Sequence, residues 1–496
     1  MLLSPSTALF SAGVMLSLLS YLFVHQVSAA MNHWEVSSIL FNLAYFGGVS
    51  YGYYQASRGK ARAVAHWLPL FFLAQALIFF TIRPFFHLVY TAAHAALGPL
   101  VRGTAPETFV ATAFTWLLLF FAGTPLFAVI LPKAISMNQT PLRRAYSLEI
   151  FGSVIGLLLV PLTALGGFRL LIGFYAFFAV LLALALRLPK LSTAAVAFVG
   201  GIWILFFHVF DDGVSLWLYQ KKYPNLNATK MLEAQYTPYH KIEMVALGTD
   251  DRLLVLNGRR QFASGSHHVY SYFVAEIPAR MLNRPKVLVL GCGSMSSVGR
   301  IGHLAESIKI VDIDPAVFET SKKYYPEYNH LNELNNWTFV ADDAKHFLAN
   351  DKEQYDLIIH DIPPASSRQI ALTYTREFFE LARKRLTTHG IFSISALRSN
   401  YRNVNYGRKI LRTLSVAFPQ VHALVYGDSF YTYSGFDLTG PQYRMFFEQP
   451  KRALSSEESG QWFRDEATYW PPEAIDRETQ GMRPVTISHL GDLIFD

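Results

Sequence analysis

Long apolar runs fill roughly the first two hundred residues, whereas short apolar runs alternate with polar segments in the remainder of the chain. Runs of about 18 to 25 apolar residues are long enough to cross a bilayer as helices. This pattern predicts seven spans, near residues 8–30, 36–54, 66–90, 109–136, 146–166, 169–187 and 193–211. Residues 1–211 are therefore predicted to form an all-α, multi-pass helical bundle in contact with membrane lipid.

The first and fifth predicted spans each carry a local signal. A signal peptide is the alternative interpretation of the first run, because residues 27–29 resemble a cleavage site. The run lacks the basic residues that begin a signal peptide and its apolar stretch is too long, so a span is favoured. Small residues recur in the fifth span, at Gly152, Ser153 and Gly156, and predict close helix packing there.

The pattern beyond residue 211 is that of a soluble α/β domain. Residues 212–235 are predicted to be a connector, and alternating apolar positions after it predict a small β-sheet subdomain at about 236–265. A Rossmann-like α/β domain is predicted for residues 266–496, with a mostly parallel sheet that ends in an antiparallel pair. Its predicted strands are residues 287–290, 307–311, 337–340, 357–360, 390–395, 421–425 and 443–448.

Glycines and acids follow the first four predicted strands of this domain. They are Gly291 and Gly293 in the first strand-to-helix turn, then Asp312, Asp342 and Asp361 at the ends of the next three strands. Ligands of open α/β sheets bind outside the carboxyl ends of the strands, where glycines let the backbone approach and an acid accepts hydrogen bonds from ribose. Any one of these acids taken alone could equally be a helix N-cap. Together they predict a site for an adenosine-containing ligand.

Composition and charge argue against several classes of function. The single cysteine, Cys292, excludes an internal disulfide and a site with several cysteine ligands. The net charge is +7, and many of the basic residues lie in short loops between apolar runs. Membrane topology explains basic residues in such loops better than nucleic-acid binding does. His267 and His268 have no further histidine or cysteine at a suitable spacing, so we expect no metal. We interpret Cys292 as a small side chain that fits the glycine-rich turn.

The order of these motifs resembles the spermidine synthase family of polyamine aminopropyltransferases. The motifs are the glycine-rich turn after the first strand, Val311-Asp-Ile-Asp, Asp342-Asp and Asp361-Ile-Pro-Pro. Further similar segments are residues 256–262, 374–379, 432–435 and 469–473, and the likeness runs from about residue 236 to residue 475. The subgroup of the family that carries an N-terminal membrane bundle is similar to the whole chain.

This resemblance implies decarboxylated S-adenosylmethionine, or S-adenosylmethionine itself, as co-substrate and a small amine as acceptor. The residues predicted to bind the co-substrate are Gln261, Gly291, Gly293, Asp312 and Asp342. Asp361 would be the base or anchor that orients the amine, and Tyr270 and Tyr433 would line the acceptor channel. An amine must lose a proton when it attacks the carbon beside a sulfonium, and a carboxylate can accept a hydrogen bond from that amine.

The chain departs from the family pattern on the acceptor side. Ser294 stands where the family has an acid in its glycine-rich turn, and Pro364 stands where it has a second aspartate. A diamine carries two positive charges that need partners when they are buried, so we expect an acceptor other than putrescine. Two alternatives stay open. One is a methyltransferase that uses S-adenosylmethionine, and the other is a non-catalytic binding or assembly module on a transporter-like or scaffold bundle.

Two opposing observations bear on the side of the membrane that carries the C-terminal domain. Basic residues gather in the loops after the second, fourth and sixth spans, which places the domain outside if there are seven spans. Adenosyl compounds are available in the cytoplasm, and for this reason we expect the domain on the cytoplasmic side of a bacterial inner membrane. We also expect a homodimer formed through the soluble domain.

Overall fold

The computed structural model describes residues 5–31, 34–57, 67–98, 105–123, 141–248, 250–264, 268–365, 367–399, 405–448 and 467–494. The chain forms two compact units. The first unit contains residues 1–250 and 255–260, and the second contains residues 251–254 and 261–496.

The first unit is built mainly from long helices, and each of them overlaps one predicted span. They are α1 (Pro5–Met31), α2 (Trp34–Ser57), α3 (Leu68–Leu97), α4 (Ala105–Gly123), α5 (Leu142–Leu159), α6 (Thr163–Ala185) and α7 (Lys190–Lys222). Among the described residues, five helical stretches are long and apolar enough to cross a membrane: Ser6–Met31, Leu68–Leu97, Leu142–Leu162, Leu165–Ala185 and Lys190–Lys222. The apolar stretch of α4 is shorter, and residues 124–136 of the fourth predicted span lie outside the described residues.

Helices α1 and α5 approach each other closely, as the small residues of the fifth predicted span indicate. A Cβ atom added at Gly152 would overlap the carbonyl oxygen of Phe10, and one added at Gly13 would overlap the carbonyl oxygen of Glu149. One added at Gly156 would also meet helix α1, only 2.7 Å from a carbonyl oxygen. The predicted close packing is therefore confirmed, because a larger residue at these positions would force the two backbones apart.

A buried network of charges joins helices of the first unit to its strands. The Asp211 carboxylate lies 2.6 Å from Arg83 Nη2 and 2.8 Å from Lys241 Nζ, and it accepts a hydrogen bond of 2.7 Å from the Tyr236 hydroxyl. Lys241 Nζ also lies 2.6 Å from a carboxylate oxygen of Glu243. All four charged side chains are at most 2% exposed. Two cations and two anions therefore balance one another in a place where an unpaired charge would be costly.

Helix α7 is longer than the sequence predicts. Residues 212–235 are predicted to be a connector, but α7 continues to Lys222 and strand β1 (Ala228–Tyr236) begins shortly afterwards. Strands β2 (Lys241–Leu247), β3 (Arg252–Leu256) and β4 (Arg259–Ala263) follow, and the four strands form one sheet in the order β1-β2-β3-β4. The small predicted sheet is present, and it begins at β1 rather than near residue 236.

The second unit contains an eight-stranded sheet. Its strands are β5 (Lys286–Gly291), β6 (Ser307–Asp312), β7 (Trp337–Ala341), β8 (Tyr355–Asp361), β9 (Leu386–Leu397), β10 (Gln420–Tyr426), β11 (Ser429–Gly435) and β12 (Thr468–Trp470). The order is β12-β10-β11-β9-β8-β5-β6-β7. Strands β5 to β9 run parallel, whereas β11, β10 and β12 add antiparallel neighbours at one side. The carboxyl ends of β5, β6, β7 and β8 therefore meet at one edge.

Helices cover this sheet on both faces. They are α8 (His268–Ser271), a π-helical turn (Tyr272–Glu276), α9 (Ile277–Arg280), α10 (Ser296–Ile301), α11 (Pro315–Tyr324), α12 (Ala344–Asn350), α13 (Arg368–Ala371), α14 (Arg376–Lys384), α15 (Tyr406–Ala417), α16 (Pro441–Glu448), α17 (Pro472–Glu478) and α18 (Gly491–Ile494). Strand β5 shows the layering, because Leu288 and Leu290 belong to one apolar cluster and Val287 and Val289 to the other. Alternate side chains of a strand point to opposite faces, so a central strand with both faces covered is apolar throughout.

The prediction of a strand at residues 443–448 is wrong. This segment is helix α16, in which Tyr443, Phe446 and Phe447 are buried. Their spacing of three and four residues is the helical period rather than the alternation of a strand. Strand β10 instead pairs antiparallel with β11, from Ser429 to Gly435, and with β12.

Candidate active site

The glycine-rich turn after β5 brings two strands of the sheet together. Gly291 pairs with Asp361 across β5 and β8 and has a φ of +88°, a region that side chains disfavour. A Cβ atom at Gly291 would overlap the carbonyl oxygen of Asp361, and the next residue, Cys292, donates its N–H to that oxygen at 3.1 Å. Cys292 itself has a φ of +68°. The turn therefore fixes the carboxyl end of β8 directly beside that of β5.

The same turn lies against the end of β6. A Cβ atom at Gly293 would lie 2.5 Å from Val317 Cγ1 and 3.4 Å from the Oδ2 atom of Asp312. The other carboxylate oxygen of Asp312 accepts a hydrogen bond of 2.9 Å from the N–H of Asp314. The carbonyl oxygen of Asp312 accepts the N–H of Asp342 at 3.1 Å. Gly293, Asp312 and Asp342 are thus neighbours along one edge, as their positions in the sequence predict.

The acids at the strand ends are not the caps of the helices that follow. Helix α11 is capped by Asp314, whose carboxylate accepts from Ala316 N–H, and helix α12 is capped by Asp343, whose carboxylate accepts from two backbone N–H groups. Helix α13 is capped by Ser367, with a hydrogen bond of 3.2 Å from the N–H of Ile370. Capping is the ordinary structural role of an acid between strand and helix. Because neighbours fill that role, it does not account for Asp312, Asp342 or Asp361.

Asp342 forms a pair with a histidine one helical turn away. His346 Nδ1 lies 2.9 Å from both carboxylate oxygens of Asp342, and one of these oxygens also accepts the N–H of Asp343 at 2.8 Å. The Asp342 side chain is 29% exposed and that of His346 is 66% exposed. The sequence reasoning missed His346, although its spacing of four residues from Asp342 on a helical segment is a usable signal.

Asp361 is held from both sides by hydroxyl groups. The Tyr270 hydroxyl donates to Oδ1 at 2.8 Å, and Ser297 Oγ donates to Oδ2 at 2.6 Å. Burial, reinforced by the charge of Asp361, raises the pKa of Tyr270 and the pKa of the Cys292 thiol well above their usual ranges. Both groups are therefore neutral near pH 7, and the carboxylate is surrounded by neutral hydrogen-bond donors. Tyr270, which is predicted to line the acceptor channel, lies beside Asp361. Ser297 was not predicted from the sequence.

Known proteins are similar to the part of the chain that contains this edge. The family described as the spermine/spermidine synthase domain matches residues 267–432. This match lies within the C-terminal half of the chain. The resemblance that the motifs predict is thereby confirmed for this part of the chain, which contains the glycine-rich turn and the three acids.

Individual relatives cover different shares of the chain. The polyamine aminopropyltransferase of Sulfurisphaera tokodaii is 28% identical over 169 residues, which are 33% of this chain and 56% of that protein. Polyamine aminopropyltransferase 2 of Aquifex aeolicus is 26% identical over 275 residues, which are 54% of this chain and 53% of that protein. The chain thus spans about half the length of these two curated relatives. The solved spermidine synthase of Thermotoga maritima is 18% identical, covers 54% of this chain and 89% of its own, and gives a TM-score of 0.39.

Two further predicted site residues lie in strands β11 and β4. Tyr433 is fully buried in β11, and its hydroxyl donates to the carbonyl oxygen of Phe273 at 2.8 Å. Its role in an acceptor channel stays a prediction. Gln261 lies in β4 and is half-buried.

The structure also bears on the predicted histidine pair and on metal binding. His267 is outside the described residues. Among the described residues, no group of three or more histidine, cysteine, aspartate or glutamate side chains is placed to hold a metal ion.

We expect Gly291→Ala to lower the stability of the second unit by about 1–3 kcal/mol, because the added methyl group overlaps the backbone of Asp361. The matched control is Gly427→Ala, since Gly427 has a φ of +54° but open space around its Cβ position. The apparent melting temperature of each detergent-purified variant measures the effect. Equal losses in the two variants would mean that backbone conformation, rather than the approach of the two strands, limits position 291.

Proposed function

We propose that this protein is a membrane-anchored transferase that moves an aminopropyl group from decarboxylated S-adenosylmethionine to an amine at Asp361. The observation that carries the proposal is the set of three strand-end acids whose capping role is filled by neighbouring residues. The match of residues 267–432 to the spermine/spermidine synthase domain and the relatives named polyamine aminopropyltransferase support it.

The residues at the edge fit such a co-substrate. Asp312 lies against the backbone of Gly293, where a carboxylate can accept hydrogen bonds from ribose hydroxyls and the glycine lets the ligand approach. Asp342, next along the edge, would accept from the adenine amino group. Gln261 would contribute from β4. The site thus offers hydrogen-bond acceptors where an adenosine group presents donors.

Asp361 supplies what the transfer step needs. The amine nitrogen forms a bond to the carbon beside the sulfonium while the carbon–sulfur bond breaks, and the sulfur keeps the electron pair to become the thioether of methylthioadenosine. The nitrogen must release a proton, and a carboxylate within hydrogen-bond reach can accept it or hold the amine in line. Each oxygen of Asp361 accepts one hydroxyl and, with two acceptor positions per oxygen, can accept a further hydrogen bond from the amine.

The acceptor that fits best has no second ammonium group beside the reacting amine. Ser294, which replaces an acid in the turn, lies with its Oγ 3.1 Å from Ser296 Oγ, so this part of the site is polar but uncharged. Pro364 likewise cannot match an ammonium group. A buried ammonium without a partner is costly, and putrescine, with two of them, is therefore a poor acceptor in this proposal.

The helical bundle would anchor the enzyme in a bacterial inner membrane, with the synthase domain in the cytoplasm, where adenosyl compounds occur. Five helical stretches with sufficient length and apolar character support membrane insertion. The charge network around Asp211 favours a fixed scaffold over a transport path, because its charges already pair with one another inside the protein. A transport site would need to exchange such partners for a substrate.

We expect the full-length, detergent-purified protein to release methylthioadenosine from decarboxylated S-adenosylmethionine when a suitable monoamine is present. Asp361→Asn should lower this turnover by about two to four orders of magnitude, whereas Asp437→Asn, at an exposed site, should leave it unchanged. Mass spectrometry of both products measures it. A methylated amine formed from S-adenosylmethionine would instead identify a methyltransferase, and the absence of both products across an amine panel would favour the non-catalytic alternative.

The acceptor side is tested by restoring a charge. Ser294→Asp should raise kcat/KM for putrescine by roughly tenfold or more, because a charge-assisted hydrogen bond contributes about 1.5–3 kcal/mol. Ser294→Asn has a similar size without the charge and serves as the control. Efficient spermidine formation by the unaltered protein, or an equal gain in both variants, would contradict the proposed acceptor class.

A further inference from the structure

The hydroxyl of Ser297 takes no part in the transfer step proposed above, although it makes one of the two side-chain hydroxyl contacts to Asp361. We propose that Ser297 is a positioning residue of the transferase, which holds the Asp361 carboxylate from the side opposite Tyr270. This inference rests on the proposed function for its catalytic meaning, but the contact itself can be tested without any activity.

The geometry around the carboxylate is well defined. Ser297 is fully buried and is the second residue of helix α10, and its Oγ donates to Oδ2 of Asp361 at 2.6 Å. Tyr270 comes from a different helix, α8, and donates to Oδ1 at 2.8 Å. Two donors on opposite oxygens, from two separate helices, fix the rotation of the carboxylate plane. A carboxylate held in one orientation presents its remaining acceptor positions in a fixed direction, as orientation of a reacting amine requires.

The groups around Asp361 other than Ser297 are also neutral near pH 7. The titratable groups that face Asp361 in the described residues are Tyr270 and the thiol of Cys292, and burial raises the pKa of each well above its usual range. The Tyr374 hydroxyl donates to the carbonyl oxygens of Ile362 and Pro363, the two residues that follow Asp361, at 2.9 and 3.0 Å. The hydroxyl groups that hold Asp361 are therefore neutral hydrogen-bond donors.

Removing the hydroxyl should affect the orientation of the carboxylate. Ser297→Ala deletes one of the two hydroxyl donors to Asp361. Turnover should fall by about ten- to hundredfold because the carboxylate is less well oriented. Ser297→Thr keeps the hydroxyl and should restore most of the turnover.

The decisive experiment compares full-length Ser297→Ala, Ser297→Thr and Ser321→Ala. Ser321 is also fully buried, but it lies in α11, so its variant controls for the loss of a buried hydroxyl elsewhere. We measure methylthioadenosine release by mass spectrometry and methylthioadenosine binding by calorimetry. We expect Ser297→Ala alone to lose turnover, with binding retained and with turnover largely restored in Ser297→Thr. Full turnover in Ser297→Ala, or an equal loss in Ser297→Thr, would overturn the proposal.

A double-mutant cycle tests the contact separately from catalysis. If the unaltered protein transfers nothing to any amine, the proposed function fails, and the melting temperatures of Ser297→Ala, Asp361→Ala and the double variant still decide the role of Ser297. Residues joined by a strong hydrogen bond show non-additive losses. We expect the double variant to melt clearly above the additive value. Additive losses would show that Ser297 and Asp361 are not coupled and would overturn the positioning role.

Discussion

The close approach of β5 and β8 at their carboxyl ends is the constraint on which the candidate site depends. Gly291 has no side chain that could separate the strands, and the N–H of Cys292 closes the gap by binding the carbonyl oxygen of Asp361. The side chain of Asp361 is thereby directed to the edge where the glycine-rich turn begins, within reach of Ser297 at the start of α10. A bulkier turn would displace the carboxylate from the groups that orient it.

Neighbouring polar residues at this edge have different roles, since some cap helices and others do not. Asp314 and Asp343 cap helices, whereas Asp312 and Asp342, which precede them, lie along the edge of the sheet. Each of these two strand-to-helix connections thus contains one acid that caps a helix and one that does not. Carboxylates that do not cap a helix are expected at a sheet edge where a ligand binds. Their partial burial costs desolvation free energy, which hydrogen bonds from a ligand would offset.

Local patterns predict much of this fold, and contacts between distant residues account for the rest. The helices of the bundle and the strands β5 to β8 follow from long apolar runs and from short apolar strands that end in glycine or acid. Residues 443–448 are misassigned because a short apolar run does not distinguish a buried helix from a strand. The buried Asp211 in α7 pairs with Arg83, 128 positions away, and such a partner cannot be predicted from the local pattern. For the same reason Ser297, 64 positions from Asp361, was missed.

The central claim is that the edge formed by β5, β6 and β7 binds an adenosyl group through Asp312. Calorimetric titration of the full-length protein with methylthioadenosine, which lacks the reactive sulfonium, measures this binding without any catalytic step. We expect saturable binding that is weakened about tenfold or more in Asp312→Asn, since hydrogen bonds to a charged group contribute about 1.5–3 kcal/mol. Binding should be unchanged in Asp437→Asn. Equal affinity in the Asp312 variant and the unaltered protein, or no binding to either, would contradict it.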